Sequence, residues 1–183
     1  MIEAFNVGWD GNLAEVELIR TRSHDILTAA LTNEALVLHV NSHGEADAED
    51  ILIHSEDEAT KYSLLDLGEH LQQGTWPIAA PALFVDACSS GTKRFQRAIR
   101  DCIAAPTVLI GGRATVTWQH STIWSAAFYG ALLRRKGRGV AHVDRILEAA
   151  GRASDAYELV TDERTPYRVE LLEPTRAARK AFS

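Results

Sequence analysis

The sequence has few cysteines and no long hydrophobic run. Cys88 and Cys102 are the only two cysteines among 183 residues, too few for the disulfide framework of a small secreted protein. No apolar run approaches the roughly 20 residues that a membrane-spanning helix needs, and the first residues lack the basic segment that opens a signal peptide. We therefore expect a cytoplasmic protein that does not bind membranes.

Basic residues are scarce relative to acidic ones. The chain has 19 Lys and Arg residues against 25 Asp and Glu residues, a net charge of −6, so a nucleic-acid-binding surface is not expected. The remaining composition is ordinary, with 46% apolar and 24% charged residues, which excludes a disordered chain and is typical of a globular protein. The length predicts a single domain over residues 1–183.

Apolar runs typical of strands alternate with helical patterns along the chain. Because the inner strands are continuously apolar, the predicted fold class is α/β, with a mostly parallel sheet covered by helices on both faces. Gly111 and Gly112 are expected to break the third buried strand. The predicted strands are 2–9, 35–40, 82–87, 107–110 and 167–171, with a hairpin around 51–53. The predicted helices are 12–31, a segment from Ser63 to Gly74, 92–102, 121–135 and 139–150.

Two residue types used in catalysis follow two of the buried strands. His43 comes after the strand at 35–40, and Cys88 comes after the strand at 82–87. Function in parallel sheets gathers at the carboxyl ends of the strands. A helix that begins after Cys88 would direct its first amides toward the sulfur and favour thiolate, and His43 would take the thiol proton. The amides of Gly44 and Cys88 would then form an oxyanion hole.

Each of these residues also has an ordinary structural interpretation. A cysteine beside a buried strand usually packs in the core, and a histidine in a turn is usually solvated. Cys102 lies on the apolar stripe of its helix and is expected to be buried and inert. His39 and His43 would lie about 13 Å apart on a strand, too far to share one metal ion. We therefore predict no metal site and no cofactor, with His39 in the core or just behind the site.

Three stretches of the sequence together resemble the caspase-like cysteine peptidases. They are residues 38–44 with Ser42-His43-Gly44, residues 64–67, and residues 83–91 with Asp86-Ala87-Cys88-Ser89-Ser90-Gly91. Residues 108–113 and 127–133 look like the end of the bacterial CHAT-type proteases, and metacaspases belong to the same clan. The resemblance covers residues 35–150 and implies a three-layer α/β/α caspase-like (caspase-haemoglobinase) fold.

The resemblance also implies an activity and a set of roles. The chain would be a cysteine endopeptidase with Cys88 as nucleophile, His43 as catalytic histidine and Gly44 helping to hold the oxyanion. Asp86 matches the S1 acid of the branches that cleave after Arg or Lys, and a substrate guanidinium would compensate its buried charge. Two alternatives for this position are open: Asp86 caps a turn, or Arg113 neutralises it and favours an acidic substrate residue.

The remaining expectations concern partners and other function classes. The implied partner is a protein substrate with a basic cleavage residue, drawn in by the seven carboxylates of residues 45–58 unless these form a solvated loop. Activation by a partner protein, self-processing within residues 134–138 and a role in bacterial defence are further implications. Two other classes are open: a catalytically silent caspase-like scaffold, and a flavodoxin-like ligand binder with an incidental cysteine.

Overall fold

A computed structural model describes residues 19, 24–44, 52–54, 61–63, 71, 73, 77–134 and 142–182 of the chain. The chain divides into two compact units. The sheet unit contains the described residues of 21–116 together with 166–182, and residues 117–165 belong to the helical unit. The expectation of a single domain over 1–183 stays a prediction.

The sheet unit is built on four strands, three of which are parallel. Along the described chain the strands are β1 (Leu38–Asn41), β2 (Leu52–His54), β3 (Lys61–Ser63), β4 (Ala82–Asp86), β5 (Thr107–Gly112) and β6 (Tyr167–Leu172). The main sheet has the order β1-β4-β5-β6. Its first three strands are parallel and β6 is antiparallel to β5, while β2 and β3 form a separate antiparallel pair. The α/β class with a mostly parallel sheet is thus confirmed.

The third buried strand differs from its prediction at the two glycines. Gly111 and Gly112 continue β5 and pair with Arg168 and Tyr167 of β6. Glycine weakens an isolated strand, but here neighbouring strands supply the ladder on both sides of β5 and keep it extended. The predicted break is therefore wrong, and the carboxyl end of β5 lies two residues farther along the chain.

The helices of the described chain extend two of the predictions and add an element. They are α1 (His24–Thr32), α2 (Lys93–Arg100), α3 (Trp118–Arg134), α4 (His142–Thr161) and α5 (Arg176–Ala181). The end predicted for α4 near residue 150 is wrong, because Ala153 and Tyr157 extend its buried stripe past Gly151. Helix α5 was not predicted from the sequence; Thr175 caps it by accepting a hydrogen bond from the amide of Ala178.

Several predicted elements fall on residues that the structure does not describe. The strand at 2–9 lies wholly outside the described residues, as does most of the helix at 12–31, of which α1 is the described end. Most of the helix predicted between Ser63 and Gly74 also lies outside them, although Leu71 and Gln73 are helical. The hairpin predicted around 51–53 is present as the β2–β3 pair.

Side chains alternate across β4 and assign its two faces different roles. Leu83 and Val85 pack in the core with Phe95 and Ile99 of α2. Phe84 lies on the opposite face, and because strand residues two apart share a face, the side chain of Asp86 lies on the Phe84 face. Every residue of β4 and β5 is buried, so the sheet delivers a carboxylate to a buried position at the strand's end.

The helical unit packs α3 against α4 through large aromatic side chains. Trp124 and Phe128 of α3 stack with ring centroids 5.3 Å apart, and the indole of Trp124 donates to the hydroxyl of Ser154 on α4 at 3.3 Å. Within the described part of the chain, none of the helices combines the length and the apolar character needed to cross a membrane.

Candidate active site

Strand pairing brings the His43-Gly44 pair to the Cys88 backbone. The β1–β4 register pairs Asn41 with Asp86, and just beyond it the amide of Ser42 donates to the carbonyl of Asp86 at 3.3 Å. Beyond that point, a Cβ on Gly44 would overlap the carbonyl oxygen of Cys88 and lie 2.6 Å from its nitrogen. Only glycine permits this approach, and it places the two predicted site segments in direct contact. The side chain of His43 is exposed.

A tight turn after β4 presents Cys88. Ser89 has a φ of 59°, a left-handed conformation that is uncommon outside glycine. Its amide donates to the carbonyl of Ala114 at 3.0 Å, and the amide of Gly91 donates to the carbonyl of Gly112 at 2.8 Å. The turn is therefore held by the chain that leaves β5 as well as by its own residues.

The buried hydroxyl of Ser90 ties the turn to both strands. Its Oγ lies 2.7 Å from the carbonyl of Val85 and 2.8 Å from that of Ala87, and it accepts the amide of Gly112 at 2.6 Å. Ser90 is fully buried. Ser90 is therefore a structural part of the turn, a role that was not predicted from the sequence.

Gly111 and Gly112 make room for the turn. A Cβ on Gly111 would lie 2.5 Å from the carbonyl oxygen of Ser90, and one on Gly112 would overlap the carbonyl oxygen of Ala87. A side chain at either position would displace the backbone next to Cys88. The glycine pair thus has a positioning role at the end of β5, and the signal for it is two adjacent glycines following an apolar strand.

The sulfur of Cys88 contacts the chain beyond β5. Its Sγ accepts a hydrogen bond from the amide of Val116 at 3.4 Å and lies 4.0 Å from the carbonyl oxygen of Val116. Around the start of α2, the amides of Gly91 and Thr92, which precede the helix, and the amide of Phe95 in its first turn donate to other groups. None of these three amides is therefore directed at the sulfur.

Asp86 is buried and paired within the protein. Its carboxylate is 7% exposed and accepts a hydrogen bond from the hydroxyl of Tyr167 at 2.5 Å. Its second oxygen lies 3.8 Å from Nε2 of His39. His39 stacks on Phe84, with ring centroids 4.1 Å apart, and Tyr167 meets Phe84 edge to face.

These contacts change the argument for a substrate cation. Burial of a carboxylate requires compensation, and Tyr167 supplies some of it. Burial alone therefore does not demand a guanidinium. Nor does Asp86 need to cap a turn with its own backbone to be satisfied. The expectation that His39 lies behind the site agrees with its place beside Asp86.

Arg113 is anchored on β6. Its amide donates to the carbonyl of Pro166 at 2.8 Å, and its Nε donates to the carbonyl of Tyr167 at 3.0 Å. These contacts extend the β5–β6 ladder by one residue. Its influence on the charge of Asp86 stays a prediction.

The other candidate residues fall into three groups. Cys102 is fully buried and its thiol donates to the carbonyl of Ala98 at 3.3 Å, which agrees with a packing role. Lys93 and Arg94 are exposed at the start of α2. Most of the acidic stretch 45–58 and most of the basic stretch 134–138 lie outside the described residues.

Two further properties bear on the function of the site: metal-ligating side chains and similarity to known proteins. Within the described residues, no group of three His, Cys, Asp or Glu side chains is arranged to hold a metal ion. Comparisons of the chain with protein-family models, with curated proteins and with solved structures found no match.

Proposed function

We propose that this protein is a caspase-like cysteine endopeptidase that cleaves protein substrates after Arg or Lys. The proposal includes the three-layer α/β/α caspase-like topology. The observation that supports it best is the direct packing of Gly44 against the backbone of Cys88. This contact makes the histidine segment of one strand end a neighbour of the cysteine turn of the next, as a Cys/His site requires.

The proposed reaction proceeds through an acyl-enzyme. His43 takes the thiol proton, and the Cys88 thiolate attacks the scissile carbonyl carbon, forming a carbon–sulfur bond. The Gly44 and Cys88 amides stabilise the oxyanion. The carbon–nitrogen bond then breaks as His43 returns its proton to the leaving amine. Water attacks the thioester with His43 as base, which releases the carboxylic acid and restores the thiol.

Asp86 would select the basic side chain. Its carboxylate is held by Tyr167 and lies on the strand that ends at the nucleophile. A rigid, mostly buried carboxylate favours a guanidinium or ammonium group of the substrate, because charge-assisted hydrogen bonds to a cation are stronger than hydrogen bonds to a neutral group. The support for this role is the position of Asp86, two residues before Cys88, together with the resemblance to branches that cleave after basic residues.

A chemical probe tests the nucleophile and its base. Wild-type protein is incubated with an acyloxymethyl ketone that carries an arginyl side chain, and with arginyl and lysyl fluorogenic peptides. We expect labelling at one thiol and turnover of both peptides. Cys88→Ala should abolish both signals, and His43→Ala should lower turnover by about 10²- to 10⁴-fold.

Matched variants make the result specific. Cys102→Ala removes the buried thiol and should keep both labelling and turnover. Asp86→Asn should keep labelling by a small neutral alkylating agent while losing the preference for arginyl over neutral peptides. Wild-type protein that neither labels nor turns over these substrates would overturn the proposal and favour the catalytically silent scaffold.

A further inference from the structure

The segment that follows β5 contacts the nucleophile as well as its turn. Residues 113–116 follow β5, and within them Val116 donates its amide hydrogen to Sγ of Cys88 at 3.4 Å. The Val116 side chain packs close to Gly112, and Ala114 accepts the amide of Ser89. Two hydrogen bonds therefore join this segment to the turn, one to the sulfur of Cys88 and one to the amide of Ser89.

We propose that the backbone N–H of Val116 stabilises the Cys88 thiolate and is part of the catalytic machinery. This inference rests on the proposed peptidase function, since it assigns an activating group to the same nucleophile. The start of α2 is the usual source of such a donor. In this protein the amides of Gly91 and Thr92, just before the helix, donate to the carbonyls of Gly112 and Ser89, and the amide of Phe95 in its first turn donates to the hydroxyl of Thr92.

Val116 can serve both protonation states of the sulfur. In the thiol form, its carbonyl oxygen is the acceptor toward which the S–H can turn, at 4.0 Å. When the proton leaves for His43, the sulfur becomes an acceptor only, and the amide of the same residue remains in place as its donor. No atom of the segment has to move between the two states, so the negative charge forms in a prepared site.

The size of the effect follows from two opposing factors. A hydrogen bond to a charged group changes the population of the charged form by about 10- to 100-fold. A more basic thiolate is also a better nucleophile, with a Brønsted coefficient of about 0.5. Loss of the donor therefore lowers the thiolate population but makes each thiolate more reactive, and on a logarithmic scale the second effect cancels about half of the first. Removing the donor should therefore slow alkylation of Cys88 by about three- to tenfold at pH 7.

The test removes only the hydrogen-bond donor. Replacing Val116 by its α-hydroxy acid changes the amide to an ester, which keeps the side chain and loses the N–H. In a Cys102→Ala background, iodoacetamide then reports the reactivity of Cys88 alone. We expect the ester protein to react three- to tenfold more slowly at pH 7, and as fast as the amide protein or faster in strongly alkaline solution, where excess base removes the thiol proton in both proteins.

A crossing of the pH–rate profiles of the amide and ester proteins distinguishes loss of thiolate stabilisation from a distorted turn. A displaced or misfolded turn would change the rate by a similar factor at every pH, and that result overturns the proposal, as does an unchanged rate at pH 7. Val116→Pro also lacks the N–H and serves as the second variant if the ester protein does not fold. Val116→Ala keeps the donor, so its profile should have the wild-type shape whatever its absolute rate.

Alkylation requires no peptide cleavage, so this test is independent of the peptidase assay. If wild-type protein fails to cleave peptides while the amide and ester proteins show crossing profiles, the proposed function is refuted and only the stabilisation of the thiolate by the Val116 amide stands. Peptide cleavage by wild-type protein without a crossing of the profiles would support the proposed function and refute the role of the Val116 amide.

Discussion

The hydroxyl of Ser90 offers the sharpest measure of how firmly the Cys88 turn is held. Ser90→Ala removes one donor and one acceptor from a fully buried position. The amide of Gly112, which is also buried, then loses its acceptor at 2.6 Å, and the carbonyls of Val85 and Ala87 share one lost donor.

The cost can be worked from these contacts. A buried amide left without an acceptor costs about 1–3 kcal/mol, and loss of the donated hydrogen bond adds about 1 kcal/mol. Ser90→Ala should therefore lower the free energy of unfolding by about 2–4 kcal/mol. For a chain of this length, that corresponds to a fall in Tm of roughly 6–12 °C.

Thermal and urea unfolding followed by far-ultraviolet circular dichroism measure this loss. Ser89→Ala is the matched control, because the Ser89 hydroxyl makes no hydrogen bond within the described part of the chain while its neighbour makes three contacts. We expect the control to lose clearly less stability than Ser90→Ala, because no hydrogen bond of the Ser89 hydroxyl is removed. Equal, small losses in the two variants would refute the assignment of Ser90 as the residue that joins the turn to both strands.

Gly44→Ala, Tyr167→Phe and high pH each perturb a different contact. In Gly44→Ala the new methyl overlaps the carbonyl of Cys88, so under the proposed peptidase function kcat/KM for arginyl peptides should fall at least about 100-fold; a smaller loss contradicts the proposed role of Gly44 beside Cys88. Tyr167→Phe removes the hydrogen bond to the buried Asp86 carboxylate and should cost about 1.5–3 kcal/mol of stability; an unchanged urea midpoint argues against it. Burial raises the pKa of Tyr157 above its usual 10.0. Above pH 10 the unfolded chain therefore releases a proton that the folded protein keeps. The contribution of Tyr157 to the free energy of unfolding is fully present below pH 10 and is lost as the pH rises beyond it. Absorbance at 295 nm and the pH dependence of unfolding, each compared between wild type and Tyr157→Phe, check this; a Tyr157 contribution that titrates at the pH of the unfolded chain would contradict it.

The part of the fold that the sequence predicts correctly is the part that local patterns encode. The strand at 82–87 and the helix after it are continuous apolar and amphipathic runs, and they appear as β4 and α2. The close approach of Gly44 to the backbone of Cys88 was also predictable in outline, because parallel strands of similar length end at the same edge of the sheet.

The contacts that refine the site come from distant segments. Tyr167 is 81 residues from Asp86, and Val116 is 28 residues from Cys88. The sequence around a tyrosine in an edge strand does not indicate which residue its hydroxyl binds, and a backbone amide that donates to a distant sulfur has no sequence signature. Both contacts depend on the register of β5 and β6, which only the assembled sheet determines.

Glycine explains the two largest errors in the predicted elements. Gly111 and Gly112 were expected to end a strand and Gly151 lies just past the predicted end of a helix, yet β5 and α4 continue through them. At Gly111 the missing side chain is required by a neighbouring carbonyl. At Gly151 the space beside the helix is open, and the buried stripe of α4 is long enough to carry the glycine.

The late position of Tyr167 in the chain has a consequence for the order of events during synthesis. A growing chain contains His43, Cys88 and Asp86 long before it contains the hydroxyl that binds this carboxylate. Until β6 pairs with β5, Asp86 lacks that partner and the edge of β5 is uncovered. Non-local strand pairing of this kind forms slowly. A growing chain would therefore contain Cys88 and Asp86 early, and the buried surroundings of the Asp86 carboxylate would be completed only after residue 167 has been made.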